Sequence, residues 1–409
     1  MLTAIFGDGH ACCERDRDKN RNKDEYEGLA LEQVITSARK NGAERFVFLG
    51  DVIGYGPNPI DCINLMKRVF VRKTKDGIYT QIPNRHMLLG NHGLMFLKGE
   101  IPKYIDDDAE ASIERIWEQL GVDISKDPVR PAIPGKADEI LKSIHKGIKL
   151  PQRSLRRRFS DLWHGRKDYM SPEDLTEIEK SMDPETREKF QRARELKIKE
   201  DKFKPYHDFF SSLPCELDLG KEGGQEKLMF AHAFPLSMAK YADQLGIDKN
   251  AIGFLEVYII KREDWISYVK DPKNYYELDD TAIENLEAYV KGQTKNLGDL
   301  GLTEEKKQEV LDLRRRTAIA EDVVKFMPEG YTLFIGHNHD DFIVDGKEGR
   351  RIISPGAVFN PRAEPGDEDY EYAHYVLYES SVPQDVICGR VKYNRDKVNR
   401  YMEEAKHGN

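Results

Sequence analysis

The run Leu333-Phe334-Ile335 stops at Gly336 and gives way at once to His337-Asn338-His339-Asp340. A short apolar run bounded by glycine reads as a buried strand. Two imidazoles one residue apart on the loop at its end are how a sheet presents nitrogen ligands to a metal, although such a doublet also occurs on ordinary surface loops. What constrains the fold is that an apolar run ending in a metal-type ligand recurs four times upstream, three of them through a glycine. Leu2 to Phe6 runs into Gly7-Asp8-Gly9-His10, and Arg45 to Leu49 into Gly50-Asp51. Arg85 to Leu89 ends in Gly90-Asn91-His92-Gly93, and Lys227 to Ala231 ends in His232. Helical patterns separate the first three. One spans about Tyr26 to Lys40, with Leu29, Leu31, Val34, Ile35 and Ala38 as its apolar stripe, and ends at Asn41-Gly42. The other spans about Ile60 to Val69. Strands alternating with helices predict an α/β chain, and in open α/β sheets the strand carboxyl ends collect the site.

The 409 residues suggest two or three domains. We expect a core of residues 1–98, 205–235 and 316–409, resuming after the first gap with a sheet pattern at Phe209 to Leu219. Residues 99–204 replace strand patterns with prolines, charge runs and helical periodicity. Ser171-Pro172-Glu173 and Asp183-Pro184-Glu185 each look like a helix N-cap followed by proline in the first turn. This predicts a mainly helical, charged cap. Residues 236–315 form a second, mainly helical insertion, with helices expected from about Thr281 to Lys291 and from about Glu304 to Met327. After the histidine doublet the last strand is expected at about His374 to Tyr378.

Charged residues make up 33% of the chain, which places much of it in solvated helix or loop. The net charge of −9 argues against a nucleic-acid coat. One basic island, residues 142–167, interrupts the acidic background and carries Arg156, Arg157, Arg158 and Trp163. A solvated helical face accounts for it, so nucleic-acid binding there is not favoured; the alternative is an electrostatic funnel that grips phosphates and stacks a base. The cysteines Cys12, Cys13, Cys62, Cys215 and Cys388 form no metal knuckle and no paired framework. With no leader pattern and no membrane-spanning stretch, a reduced, cytoplasmic chain is expected. Oligomeric state is not legible.

Collected from the strand ends, the polar set is Asp8, His10, Asp51, Asn91, His92, His232, His337 and His339. Oxygen and imidazole donors without thiolate suit Mn²⁺, Fe²⁺/³⁺ or Zn²⁺, and one carboxylate can bridge two ions. Two metals about 3.5–4 Å apart hold a hydroxide and clamp the attacking and leaving oxygens of a displacement at phosphorus. The expected reaction is hydrolysis of a phosphate ester.

The ordered set Gly-Asp-x-His, Gly-Asp, Gly-Asn-His, Ala-His and Gly-His-x-His resembles the calcineurin-like metallophosphoesterase superfamily. Gly54-Tyr55-Gly56-Pro57, Ser354-Pro355-Gly356 and Pro361-Arg362 most resemble its compact prokaryotic predicted phosphodiesterases. The resemblance covers the sheet segments, about half of the chain, and neither insertion. It implies a four-layer αββα sandwich of two mixed β-sheets flanked by helices, an α/β (α+β) fold. It also implies two divalent ions, manganese favoured, the first held by Asp8, His10 and His339 and the second by Asn91, His232 and His337, with Asp51 bridging. His92 would be free of metal, facing the phosphate ester and protonating the leaving alkoxide.

The chain departs from the family at Gly93, where many members carry an acidic residue that orients the catalytic imidazole. It departs again after His10, where Cys12-Cys13 and a charged loop replace a short Gly-Asn connection. Around the metal set, Tyr55 and Arg362 are candidate substrate contacts, although turn formation accounts for most of residues 54–59 and a surface ion pair would account for Arg362. Cys12 and Cys13 are read as small buried thiols rather than ligands. A phosphomonoesterase or protein phosphatase is a weaker alternative. Protein phosphatases carry Asp-Arg-Gly after the second block and arginine before Gly-Asn-His, where this chain has Gly54-Tyr55-Gly56 and Leu89. A non-catalytic scaffold of the same fold is the rival from another class.

Overall fold

The computed structural model describes residues 1–13, 29–98, 182–220, 227–245, 257–262, 317–361, 370–379 and 386–406, with a few scattered positions between them. In chain order the strands are β1 (Leu2–Phe6), β2 (Arg45–Phe48), β3 (Val71–Lys73), β4 (Tyr79–Gln81), β5 (Arg85–Met87), β6 (Glu216–Asp218) and β7 (Lys227–Ala231). They continue with β8 (Tyr258–Ile260), β9 (Thr317–Ile319), β10 (Tyr331–Ile335), β11 (Asp341–Asp345), β12 (Arg351–Pro355), β13 (Tyr372–Glu379) and β14 (Val386–Lys392). The α-helices are α1 (Ala30–Lys40), α2 (Pro59–Phe70), α3 (Asn91–Lys98), α4 (Pro184–Ser211), α5 (Ala320–Phe326) and α6 (Arg395–Lys406).

Two five-stranded mixed sheets carry the fold. The first has the order β14-β13-β1-β2-β5, with β1, β2 and β5 parallel and β13 and β14 antiparallel at one side. The second has the order β11-β12-β10-β7-β6, with β12, β10 and β7 parallel and an antiparallel strand at each edge. Strand alternation divides each apolar run between two faces. Ile5, Val47, Leu88 and Val376 of the first sheet meet Leu228, Phe230, Phe334 and Ile353 of the second in one buried cluster. At its centre Phe230 and Phe334 stack with centroids 5.2 Å apart, and Tyr378 packs edge-on against Phe334. The other faces are covered by helices. Phe6 and Phe48 turn outward onto Phe70 of α2, and α1 lies against β13 and β14. Behind the second sheet, Met229, Leu333, Ile335 and Ile352 pack on Ala320, Val323 and Val324 of α5. The result is the four-layer αββα sandwich that the resemblance implies.

Several boundaries differ from the sequence reading. Helix α1 begins at Ala30, not Tyr26, and β5 ends at Met87. In the expected helix from Glu304 to Met327, Thr317–Ile319 forms β9, parallel to β8, before α5 starts, and residues 304–316 lie outside the described residues. Phe209 and Phe210 belong to the end of α4, so the sheet resumes only at β6. The cap at Asp183 is present: its Oδ1 accepts from the Thr186 backbone N–H at 3.0 Å and its Oδ2 from the Thr186 hydroxyl at 2.7 Å. The Ser171-Pro172 cap and the helix from Thr281 to Lys291 lie outside the described residues.

The chain divides into two compact units, one of Met1–Leu94, Asp106–Arg115 and Ser212–Asn409, the other of Met95–Ile105 and Ile116–Ser211. Within the second, Phe96 stacks on Phe203 at 4.4 Å and Phe210 leans on it at 5.0 Å. The exposed face of α4 carries i,i+4 ion pairs such as Lys189 with Glu185 and Arg192 with Glu188, which solvent screens and which add little to stability. No helix among the described residues is long and apolar enough to cross a membrane.

The inter-sheet ring stack yields a stability prediction. Replacing Phe334 by Ala removes a fully buried ring touching both Phe230 and Tyr378. We expect a loss of about 3–5 kcal/mol, read as a lowered denaturant midpoint. A change under about 1 kcal/mol would mean that the seam between the sheets can close over the gap.

Candidate metal centre

The parallel strands of both sheets end at one place. From the first sheet, β1 delivers Asp8 and His10, β2 delivers Asp51, and β5 leads to Asn91 and His92 at the start of α3. From the second, β7 delivers His232 and β10 delivers His337 and His339. The loops are tied by backbone hydrogen bonds: Asp8 N–H to Gly50 O at 3.0 Å, His10 N–H to Asp51 O at 2.9 Å and Gly336 N–H to His232 O at 3.0 Å. The loop after β12 closes the set, with Ala357 N–H donating to His339 O and Phe359 N–H to Asp8 O, each at 3.1 Å.

The backbone in these loops is unusual. Asp8, His10, Asp51, His337 and His339 all have left-handed φ, between 40° and 72°. Only three other non-glycine residues among those described do so, and one of them, Ala11, adjoins His10. Such residues cluster where surrounding structure over-determines an otherwise disfavoured conformation, which is characteristic of functional loops. The motif glycines have a steric reason as well. A side chain at Gly90 would collide with the Asp51 carboxylate, and one at Gly54 with the His10 imidazole.

Three groups of donors converge closely enough to hold an ion: Asp8 with His10 and His339, His10 with Asp51 and His92, and Asp51 with His232 and His337. Asp51 belongs to two of them. The Nε2 atoms of His10 and His339 are 2.8 Å apart, and His232 Nε2 lies 2.8 Å from Asn91 Oδ1 and 3.2 Å from Asp51 Oδ2. Donors bound at about 2.1 Å to one ion, separated by roughly a right angle to a tetrahedral angle, lie about 3.0–3.4 Å apart. The His232–Asp51 separation falls in that range and the two at 2.8 Å lie just below it, while Asp8 Oδ1 stands 3.9 Å from His10 Nε2 and 3.8 Å from His339 Nε2. Buried Nε2 of His337 has no hydrogen-bond partner among the described residues, which suits a nitrogen reserved for a metal. The donor set therefore fits divalent ions.

Burial and neighbouring charge separate the two carboxylates. Burial pushes Asp8 up to about 7 against the pull of His232. Burial also raises Asp51, but His232 and His92 beside it outweigh that and hold it far below the usual carboxylate range. Both accept backbone donors, Asp51 from His92 N–H at 3.0 Å and Asp8 from His337 N–H at 3.1 Å. Burial, and then the charges of His339 and His92, depress His10; burial, and then His232, depress His337. Neutral imidazole is the form that binds metal.

All seven expected ligands and His92 thus meet at one centre. Tyr55 stands beside them, its half-buried ring 5.1 Å from that of His10 and 5.4 Å from that of His92. Asn58 is a loop clamp, donating from Nδ2 to Cys13 O at 2.7 Å and from its backbone to Ala11 O. Cys12 and Cys13 are buried, with burial raising both thiols, and neither enters a donor group among the described residues. Arg156, Arg157, Arg158, Trp163 and Arg362 lie outside the described residues. One neighbour is absent from the sequence reading: Tyr258 of β8 packs on His337 with centroids 4.2 Å apart. The run Val257-Tyr258-Ile259-Ile260 carries a strand signal that could have found it.

No family model and no curated protein sequence matches the chain. Among solved structures, a metallophosphoesterase from Sphaerobacter thermophilus aligns over 99% of this chain and 94% of its own, at 16% identity and a TM-score of 0.39. A protein described as a candidate diadenosine tetraphosphatase aligns over 96% and 95% at 12% identity and a TM-score of 0.31. The fold assignment is carried by this chain's own strand order and packing.

The division of ligands that the resemblance implies makes a prediction for metal content: the His339→Ala chain should first give up the ion that Asp8 and His10 would share, and the His337→Ala chain the ion that Asn91 and His232 would share. Manganese per chain, measured by plasma mass spectrometry after dialysis against limiting metal, reads the difference. Equal loss of both ions in each variant would show one inseparable site.

Proposed function

We propose that the protein is a binuclear metal-dependent phosphoesterase acting on a phosphodiester of nucleotide or nucleic-acid type. The observation that supports this most directly is the sharing of Asp51 between donor sets drawn from both sheets. When bound, the pair of divalent ions supplies an activated water and a charge clamp for displacement at phosphorus. The rest belongs to the chain. Asp8, His10 and His339 would hold one ion, Asn91, His232 and His337 the other, and Asp51 would be shared by both.

His92 is the catalytic histidine in this reading. Its Nε2 is 3.8 Å from Asp51 Oδ2, and its ring is flanked edge-on by His10 at 5.2 Å and Tyr55 at 5.4 Å. Its backbone N–H is spent on Asp51, which fixes the first turn of α3. Packing between two rings supplies orientation where many relatives use the acidic residue that Gly93 replaces. From there the imidazole protonates the departing alkoxide oxygen. Leu89 is buried and Tyr55 occupies the other phosphatase arginine position, which favours a diester over a terminal phosphate.

Hydrolysis of bis(p-nitrophenyl) phosphate by the manganese-loaded chain tests the reading. The His92→Ala variant should keep both ions and lose about 10²–10⁴ in kcat, whereas Asp51→Ala should lose ions and activity together. A metal-replete wild type inactive across monoesters, diesters, cyclic nucleotides and dinucleotides would falsify the enzyme and leave a metal-binding scaffold.

A further inference from the structure

Strand β8 lies in the insertion between His232 and His337 that the family resemblance leaves unexplained. It pairs in parallel with β9, Tyr258 opposite Thr317 and Ile260 opposite Ile319. Val257 and Ile259 are buried in the cluster that includes Ala318, Leu333 and Ile335, so this side of β8 is committed to the core behind the second sheet. Strand alternation sends the intervening side chain the other way. That side chain is Tyr258, and it meets the metal loop.

The contact has two parts. The Tyr258 ring packs on the His337 imidazole at 4.2 Å with 31° between planes, close to a stacked arrangement. One residue along each segment, the Asn338 side-chain amide donates to the Ile259 carbonyl. The loop so gripped is the one that needs grip. His337 and His339 both sit at left-handed φ, 72° and 65°. On the opposite side the His337 backbone N–H is held by the Asp8 carboxylate. His232 touches the His337 ring only edge-on, at 61°.

We propose that β8 is a structural part of the metal centre and that Tyr258 is the positioning residue that fixes the His337 imidazole for the ion shared with Asn91 and His232. This rests on the two-metal reading above. The insertion is then no appendage to the catalytic fold: its strand completes a clamp in which Asp8 holds the backbone of His337 and Tyr258 holds its ring. Residues that orient a ligand from behind tune metal affinity by about 10–100-fold without touching the ion.

Manganese titration calorimetry on the full chain tests the proposal, using Tyr258→Phe and Tyr258→Leu. Leucine keeps a bulky apolar side chain on β8 and removes the ring face. Tyr258→Leu should weaken one of the two ions about tenfold or more and leave the other, held by Asp8, His10 and His339, as in the wild type. Tyr258→Phe should bind both as the wild type does. Wild-type binding by Tyr258→Leu would overturn the proposal, as would equal loss in Tyr258→Phe, which would place the effect in the hydroxyl. Amide exchange of residues 336–339 in the metal-free chain separates this from the metal reading. If the wild type binds no manganese, the two-metal site fails, and exchange still decides whether β8 restrains the loop. Faster exchange in Tyr258→Leu supports the restraint, and unchanged exchange refutes it.

Discussion

Two aspartates, Asp8 and Asp51, are buried at the point where the parallel strands of both sheets end, and the surrounding architecture satisfies them. A carboxylate removed from water costs several kcal/mol unless hydrogen bonds and opposite charge replace its hydration. Here each receives a backbone N–H, and the donor for Asp8 comes from the other sheet. That cross-sheet bond explains why the strand ends must meet. The isolated bridge between Gly7 and Ala357 joins the two sheets at the same level. The apolar seam of Ile5, Val47, Phe230 and Phe334 brings the sheets together, but the polar end fixes where along that seam they register.

The loops accept strained backbone to do this. A left-handed conformation costs a residue with a side chain about 1–2 kcal/mol. Five such residues at one centre are comparable with the net stability of a typical domain, about 5–15 kcal/mol. Such a cluster persists only if its neighbours leave no alternative. They do so with the loop-to-loop hydrogen bonds after β1, β2 and β12, and with glycines where a side chain would strike a donor. Behind the loop after β12, the Arg395 guanidinium of α6 lies over Phe359 at 4.5 Å and Tyr370 at 4.8 Å and donates to Asn360 O at 3.1 Å. The C-terminal helix thus buttresses the loop that caps Asp8 and His339.

Much of the centre was legible because its signal is local. An apolar run and a polar residue sit within a few positions of one another at each of five strand ends, with a glycine between them at four, and α/β topology brings those ends together. The Asp and His residues of the ordered motifs come together in three overlapping groups. What the sequence did not disclose depends on pairing at a distance. Thr317–Ile319 reads as helix by composition and becomes β9 because β8, nearly sixty residues earlier, lies beside it. Edge strands β11 and β14 went unread for a similar reason, since each is defined by a partner, β12 or β13. Tyr258 was missed with β8: its significance lies in which way a strand faces, and that was set by the core contacts of Val257 and Ile259.

The same alternation bears on how such a centre tolerates long insertions. A segment added between His232 and His337 could drift without consequence if it were attached only at its ends. Instead β8 is anchored on one side by the core behind β10 and presents Tyr258 from the other. Because adjacent strand residues point opposite ways, packing that stabilises the insertion simultaneously aims a side chain at the metal loop. Met238, Ala242, Leu245 and Ile247, from the first part of the same insertion, are buried in the core behind β10 as well. A slip of one residue in the β8 to β9 pairing would turn Tyr258 into the core and Ile259 onto His337, losing the core packing and the ring clamp together. Stability of the insertion and geometry of the metal site are therefore set by one register.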